Sequence, residues 1–326
     1  MITAAAAIVV ACLAAIGVSF FFGILLLRRW HLERRDRARM QAVAIVTRSY
    51  LQRIGGFAPA NAPTRGLKPV RLEAVGHLHL LLRGAERQRL MQLAELDGLL
   101  AHALRASRSR RAARRIDAIR ALQQFGSEGC IARLRAMLAR DRNPAVRLEA
   151  AFALASLAAL PPPRELVRLL GMFEHAPHRL DSALLRAAAA HYPDHLTLML
   201  GDDLPPRYRA LIVDALGYSD DPAVLPTLQA AFNEPFAEVR SAALRGAARI
   251  GHPAVAEWVI GALDDPVAFV RVQAANSCAL LALQAAAPAL RAHMTDPDLW
   301  VRLRCESALD VLMATWPDDA SLGAAA

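Results

Sequence analysis

The pattern of apolar and polar positions predicts helices along almost the whole chain. From Arg71 onward, apolar residues recur every three or four positions, and breaks interrupt this period roughly every dozen residues. No run of alternating apolar and polar residues reads convincingly as a strand. We therefore predict an all-α protein.

A second, longer period is superimposed on the helical one. The unit Pro-x-x-x-Val-Arg occurs three times, and its prolines Pro235, Pro266 and Pro297 are 31 residues apart. We number the repeat from its arginine, at slot zero. Weaker copies of the unit occur earlier in the same 31-residue register: a degenerate copy lies at His178 and Arg179, and a looser one starts at Arg115. The slot-zero arginines are Arg147, Arg209, Arg240, Arg271 and Arg302. A period of this length is typical of stacked helical repeats.

The residues that follow each arginine predict close packing between helices. Slots +3, +6 and +7 lie on one helix face and hold mostly small side chains, such as Ala243, Gly246 and Ala247. A shorter apolar helix precedes each copy. We expect Asp265 and Asp296 to cap the second helix of the pair, and Pro266 and Pro297 to occupy its first position.

This pattern resembles HEAT repeats, in particular the short repeats of phycobilisome-lyase-like proteins. The resemblance is specific for 143–157 and 235–312 and weaker for 164–217. It implies an α-solenoid of helical hairpins. It also implies that the recurring arginines and turn aspartates are architectural; these are Arg240, Arg271, Arg302, Asp264, Asp265 and Asp296.

The first residues predict a membrane anchor. Ile2–Leu27 contains no charged side chain and is long enough to span a bilayer, and no basic side chain precedes it as in a cleaved signal peptide. Six arginines follow directly between Arg28 and Arg39. The positive-inside rule then predicts a single-pass protein of the bacterial inner membrane, with its N-terminus outside and its C-terminal domain in the cytoplasm.

The next segment has an interrupted helical stripe formed by Val43, Val46, Tyr50, Leu51 and Ile54. This stripe docks either on the downstream domain or on a partner or the lipid surface. The predicted organisation is a transmembrane helix at 2–27, a basic amphipathic helix at 28–56, a linker at 57–70, a helical cap or degenerate repeat at 71–115, the HEAT-like array at 116–316 and a flexible tail at 317–326.

Charge is divided unevenly along the chain. Residues 28–115 carry 20 Lys or Arg against 6 Asp or Glu, whereas the remainder to the end carries 19 against 24. The repeat array is therefore mildly acidic. Since nucleic-acid binding needs clustered positive charge, it is the less favoured function for the array.

No catalytic or metal-binding motif emerges. His191 and His195 have i, i+4 spacing but are separated by Pro193, and His175 and His178 lie in a loop-like stretch. The four cysteines, at positions 12, 130, 278 and 305, lie in apolar helical patterns without a CxxC pair and are interpreted as small core residues. We predict no enzymatic activity, cofactor, metal or small-molecule ligand.

What remains for function is the exposed side of the second helices. In HEAT-like solenoids these helices generally line the concave face, so the resemblance makes the variable slots +2 and +5 candidates for partner contact. The predicted partner-binding residues are Glu149, Phe152, Asp214, Arg245, Gln273, Asn276, Arg304 and Ser307.

The leading hypothesis is a membrane-tethered adaptor or scaffold for a protein partner, such as a membrane-associated envelope or glycosyltransferase complex. The alternatives are a nucleic-acid-binding HEAT-like protein and a lyase-like protein acting on a tetrapyrrole.

Overall fold

The described part of the chain, residues 2–59 and 67–315 of a computed structural model, is helical and contains no strand. The α-helices are α1 Ile2–Ile54, α2 Lys68–Leu81, α3 Gly84–Leu96, α4 Leu99–Ala106, α5 Ala112–Phe125, α6 Glu128–Arg140, α7 Pro144–Ser156, α8 Pro163–Leu170, α9 Arg179–Ala189, α10 Pro193–Met199, α11 Pro206–Leu216, α12 Leu225–Phe232, α13 Ala237–Ile250, α14 Ala256–Gly261, α15 Ala268–Leu280, α16 Ala287–Ala292 and α17 Leu299–Thr315. Short 3-10 turns lie at Met172–Glu174, Pro222–Val224, Pro253–Val255, Ala262–Asp264, Gln284–Ala286 and His293–Thr295.

The chain divides into two compact units, Met1–Cys130 and Ile131–Ala326. Half of the predicted linker, residues 60–66, and the whole predicted tail lie outside the described residues, and the last three linker positions belong to α2.

In the first unit, the C-terminal part of α1 is an integral part of the core. Val46, Tyr50 and Ile54 are buried against apolar residues of α2 and α3. The Tyr50 hydroxyl donates to Asp97 Oδ2 at 2.7 Å, and the buried Arg53 guanidinium donates to both oxygens of Asp97 at 2.9 and 3.1 Å. The structure therefore decides between the two explanations for the stripe: it docks on the downstream helices. Leu51 is the exception and stays exposed.

The predicted placement in the inner membrane is wrong. Crossing a bilayer takes about 20 consecutive apolar residues. Within the predicted span 2–27, the structure describes the side chains of residues 21–24, 26 and 27. Within the described residues, no helix has the length and apolar character needed to cross a membrane.

The second unit consists of alternating first and second helices of helical pairs. The second helices are α7, α9, α11, α13, α15 and α17, and each contacts the next one in this order. The small and apolar residues of slots +3 and +7 form the core between neighbouring pairs; Ile212, Ala243, Ala274 and Cys305 are each fully buried. This architecture is that of an α-solenoid, as the sequence predicts.

The slot-zero arginines connect consecutive pairs. Arg240 donates through Nε and Nη2 to both carboxylate oxygens of Asp265, at 2.7 and 2.9 Å, while its Nη1 donates to the carbonyls of Glu234 and Pro235. Arg271 repeats the arrangement one pair later with Asp296, at 2.8 Å for both oxygens. The predicted architectural role of these two arginines and aspartates is confirmed.

Helix starts differ in detail from the prediction. α15 begins at Ala268, so Pro266 lies in the turn before the helix rather than at its first position, and Pro297 likewise precedes α17. Asp265 and Asp296 also act within this turn, because each accepts a backbone N–H two residues later, from Val267 and Asp298, at 2.8 Å. The aspartates therefore order the turn and accept the arginine of the preceding pair.

Helix α9 breaks the 31-residue spacing. In α7, α11, α13 and α15 the N-cap residue lies four positions before the slot-zero arginine. The N-cap of α9 is His178, so Ser182 takes the arginine's place and the degenerate copy is not centred on His178 as the period suggests. The buried residues Leu185, Ala188 and Ala189 occupy slots +3, +6 and +7 of this shifted register.

Candidate partner-binding face

The predicted face residues differ widely in exposure. Arg304 and Ser307 are exposed on α17, Gln273 and Asn276 are half-buried on α15, and Glu149 and Phe152 are half-buried on α7. Asp214 on α11 is buried, and Arg245 on α13 is half-buried. Of this set, the structure brings Asp214 and Arg245 into direct contact.

Asp214 lies at the centre of a cluster that spans three second helices. Its Oδ2 accepts from Nη2 and Nε of Arg186 on α9, at 2.7 and 3.0 Å, and its Oδ1 accepts from Nε of Arg245 at 3.0 Å. Arg249, one turn after Arg245, places Nη2 4.0 Å from Oδ1. We call Asp214, Arg186, Arg245, Arg249 and the neighbouring Tyr218 the Asp214 cluster.

The Tyr218 ring packs against the guanidinium groups of two of these arginines. The Cζ atom of Arg249 lies 3.8 Å from the centre of the Tyr218 ring, and that of Arg186 lies 4.7 Å from it. The ring face attracts both cations and limits their rotamers. The arginines are therefore held in a fixed arrangement before any partner binds.

The electrostatics leave the cluster positive. Burial would raise the pKa of the Asp214 carboxyl, but the hydrogen bonds from Arg186 and Arg245 outweigh burial and lower the pKa below its ordinary value. Asp214 is thus ionised at neutral pH and offsets one of three positive charges. The side chains of Arg186, Arg245 and Arg249 keep 39%, 40% and 32% of their area exposed, so the surplus charge faces solvent.

Sequence reasoning missed Arg186, Arg249 and Tyr218. Arg245 and Arg249 have i, i+4 spacing, which was a usable signal for two guanidinium groups on one helix face. Arg186 had no such signal, because its proximity to Asp214 depends on the packing of neighbouring helices. Tyr218 follows Asp214 by four residues, but its contacts with Arg186 and Arg249 depend on the same packing.

Cys130, Cys278 and Cys305 are buried, as their interpretation as core residues requires, and the side chain of Cys12 lies outside the described residues. Burial raises the pKa of the Cys278 thiol to about 12 and that of Cys305 to about 11. These two thiols are therefore protonated at neutral pH and are poor nucleophiles.

The first unit contains an open cleft of about 960 Å³ between α2, α4, α5 and the middle of α1. Its walls include the basic residues Arg39, Arg105, Arg114 and Arg120 and the histidines His77 and His102. Glu73 pairs with Arg39 there at 2.8 Å, so part of this positive charge is already offset.

Comparison with known proteins supports the repeat assignment. Residues 227–310 match the family model for HEAT repeats. This segment covers α13 and α15 and most of α12 and α17. HEAT repeats generally mediate protein interactions. A comparison of the sequence with curated proteins gives no match.

Solved structures with a similar fold include human deoxyhypusine hydroxylase in complex with glycerol, with a TM-score of 0.34, 20% identity and coverage of 86% of this chain and 98% of that chain. An engineered protein gives a TM-score of 0.34, 17% identity and coverage of 79% and 78%. The complex of CpcE and CpcF of phycocyanin lyase from Nostoc sp. gives a TM-score of 0.34, 18% identity and coverage of 65% and 94%. TM-scores this low carry no inference about activity.

Proposed function

We propose that this protein is a non-enzymatic HEAT-type adaptor whose second-helix face binds a protein partner through an acidic segment. The observation that carries the proposal is the Asp214 cluster, in which three arginines surround one buried carboxylate and leave two positive charges toward solvent. A carboxylate-bearing segment is the partner chemistry that this arrangement fits best, since guanidinium groups bind carboxylates in a bidentate geometry.

Two properties favour binding over a purely structural role. Asp214 needs only Arg186 and Arg245 to satisfy its two carboxylate oxygens. Arg249 Nη2 lies 4.0 Å from Oδ1, and Arg249 Nη1 donates a long hydrogen bond, 3.5 Å, to the main-chain carbonyl of Asp214. Arg249 instead stacks on Tyr218, which is itself 37% exposed. Arginine and tyrosine are enriched at the energetic centres of protein interfaces. Arg249 and Tyr218 are therefore the expected contact pair.

Site-specific photo-crosslinking in the native cell tests this proposal. A photo-reactive residue placed at Asn276 or Gln273, which leaves Arg249 and Tyr218 intact, is expected to give one shared adduct, to be identified by mass spectrometry. The same residue at Glu257, which is exposed on the first helix α14, is the matched control and is expected to give no such adduct.

The adduct from position 276 is then compared between the wild-type background and Arg249→Glu. Because the partner is proposed to be acidic, charge reversal should remove most of the adduct, and raised salt should weaken it. Adducts that form equally from position 257, or that persist unchanged with Arg249→Glu, would overturn the proposal. An adduct with nucleic acid instead of protein would favour the alternative function.

A further inference from the structure

The register shift in α9 places an acidic residue where every neighbouring pair has an apolar one. The position directly before slot zero is filled by Val146, Tyr208, Val239, Val270 and Val301, all at most 1% exposed. In α9 this position is Asp181, which is 5% exposed. Burying a carboxylate in an apolar slot is unfavourable unless something compensates its charge.

The other buried aspartates of this unit have such compensation. Asp214, Asp265 and Asp296 each form an ion pair with at least one arginine at 3.0 Å or less. Asp181 has two histidines as its charged or chargeable neighbours: His178 Nδ1 lies 3.4 Å and His175 Nδ1 3.9 Å from its Oδ2. The backbone N–H of His178 also donates to Oδ2 at 2.9 Å, and His178 and Asp181 together form the capping box at the start of α9. Coordination through the capping nitrogen of His178 would replace its contact with the backbone of Asp181.

The three side chains converge closely enough to share one ion. One ligand atom from each of His175, His178 and Asp181 can be chosen so that all three lie within 4.8 Å of one another. Ligand atoms of a tetrahedral zinc ion with bonds of about 2.0 Å lie about 3.3 Å apart. The distances of 3.4 and 3.9 Å from Asp181 Oδ2 to the two histidines are close to this value, so small side-chain adjustments would complete the geometry. His175 Nδ1 also lies 3.0 Å from Ala176 O, a contact that coordination through this nitrogen would replace.

Tyr208 anchors the loop that carries the histidines. The hydroxyl of the buried Tyr208 donates to the carbonyl of His175, and the Tyr208 ring packs against Phe173 with 4.5 Å between ring centres. Both rings of the His175–His178 pair are then adjacent, with their centres 4.4 Å apart. This anchoring fixes the backbone of His175, which lowers the entropic cost of assembling a metal site.

We propose that His175, His178 and Asp181 bind one divalent transition-metal ion of the zinc class. Two imidazoles and one carboxylate suit this class of ion, whereas Ca²⁺ and Mg²⁺ prefer sites built from oxygen ligands alone. The ion supplies the positive charge that arginine supplies to the other buried aspartates. The remaining coordination position is open to water or to a donor group from a partner.

Metal titration of the full chain tests this inference separately from the proposed function, because it needs no partner. Co²⁺ is the spectroscopic probe, through its visible absorption bands, and Zn²⁺ affinity is measured by calorimetry. The wild-type protein is expected to bind one ion per chain and to unfold at a higher temperature with Zn²⁺ present. His178→Ala and His175→Ala should each weaken binding by more than about 100-fold, since loss of a ligand exceeds the effect of losing its supporting contacts.

His191→Ala removes an exposed histidine that follows the opposite end of α9, and its Zn²⁺ affinity should equal that of the wild-type protein. Asp181→Val installs the residue found in the same slot of α7, α13, α15 and α17. It should abolish binding while the metal-free variant melts at the same or a higher temperature than the metal-free wild type. The inference is overturned if wild-type protein binds Zn²⁺ as weakly as His178→Ala, or if His191→Ala loses affinity to the same extent.

Discussion

At the scale of single residues, the slot-zero arginine forms two sets of hydrogen bonds, one within its own turn and one with the next turn. The sequence shows only that the arginine recurs. In Arg271, Nη1 donates to the carbonyls of Asp265 and Pro266 in its own turn, while Nε and Nη2 bind the carboxylate of Asp296 in the next turn. The planar guanidinium has five N–H donors in a fixed geometry, so it can serve both turns together. Lysine, as a point charge, cannot reproduce this arrangement.

Replacing Arg271 by methionine should destabilise the protein by about 3 kcal/mol, because the nearly buried carboxylate of Asp296 loses its arginine partner and keeps His293 Nδ1, at 3.5 Å, as its side-chain neighbour. Urea unfolding followed by circular dichroism measures the loss. Arg302→Met is the matched control, since Arg302 donates only to the carbonyls of Asp296 and Pro297 within the described residues, and it should cost about 1 kcal/mol. Equal losses in the two variants would contradict this account of the ion pair.

At the scale of helices, close approach between neighbouring second helices depends on a pair of glycines. A Cβ atom built on Gly217, at the end of α11, would lie 2.4 Å from Gly246 Cα in α13. A Cβ atom on Gly246 would meet only the methyl groups of Leu228, at 3.2 and 3.3 Å, and the Cα of Gly217 at 3.5 Å. The first contact is with backbone and cannot be relieved by rotating a side chain, whereas Leu228 can adjust.

Gly217→Ala should therefore destabilise the protein by about 1–3 kcal/mol through overpacking, and Gly246→Ala should cost less. Thermal and urea unfolding give both values. Gly261→Ala is the control, because its added Cβ would meet nothing within 4 Å. A Gly217→Ala variant as stable as Gly261→Ala would show that α11 and α13 separate without cost.

At the scale of the whole molecule, stability in the second unit is distributed over successive pairs. In such arrays each pair contributes its own stability and one interface with each neighbour. The pKa values of Asp214, Asp265 and Asp296 are all lowered. Burial would raise the pKa of Asp214 and Asp265, but hydrogen bonds from arginine outweigh it. For Asp296 the hydrogen bond from Arg271 is the largest effect. Asp265 and Asp296 also accept a backbone hydrogen bond that lowers the pKa further. Ionised aspartates thus support several interfaces along the same unit.

These lowered pKa values predict an acid-sensitive fold. The pKa of an aspartate in an unfolded chain is about 3.9. Since the folded values are lower, the stabilisation is fully present above that pH and is lost as pH falls through the folded values. Urea unfolding at about pH 7 and pH 3 should show a lower free energy of unfolding in acid. The double variant Arg240→Met/Arg271→Met should lose less stability between the two pH values; an equal loss would place the acid sensitivity elsewhere.

The sequence by itself determined the helical class, the paired repeats and the architectural arginines, because apolar spacing and a fixed period depend on local geometry. The distribution of charge along the sequence also showed that the repeat array is mildly acidic and not strongly basic. The tertiary structure alone decided which residues meet across repeats. Arg186 reaches Asp214 and Tyr218 only because α9 and α11 stack. The four-residue shift of α9 brings Asp181 to a buried slot beside two histidines, whereas a fixed 31-residue count would place Pro177 in that slot. Contacts between elements depend on helix starts and turn lengths, which a periodic pattern does not specify.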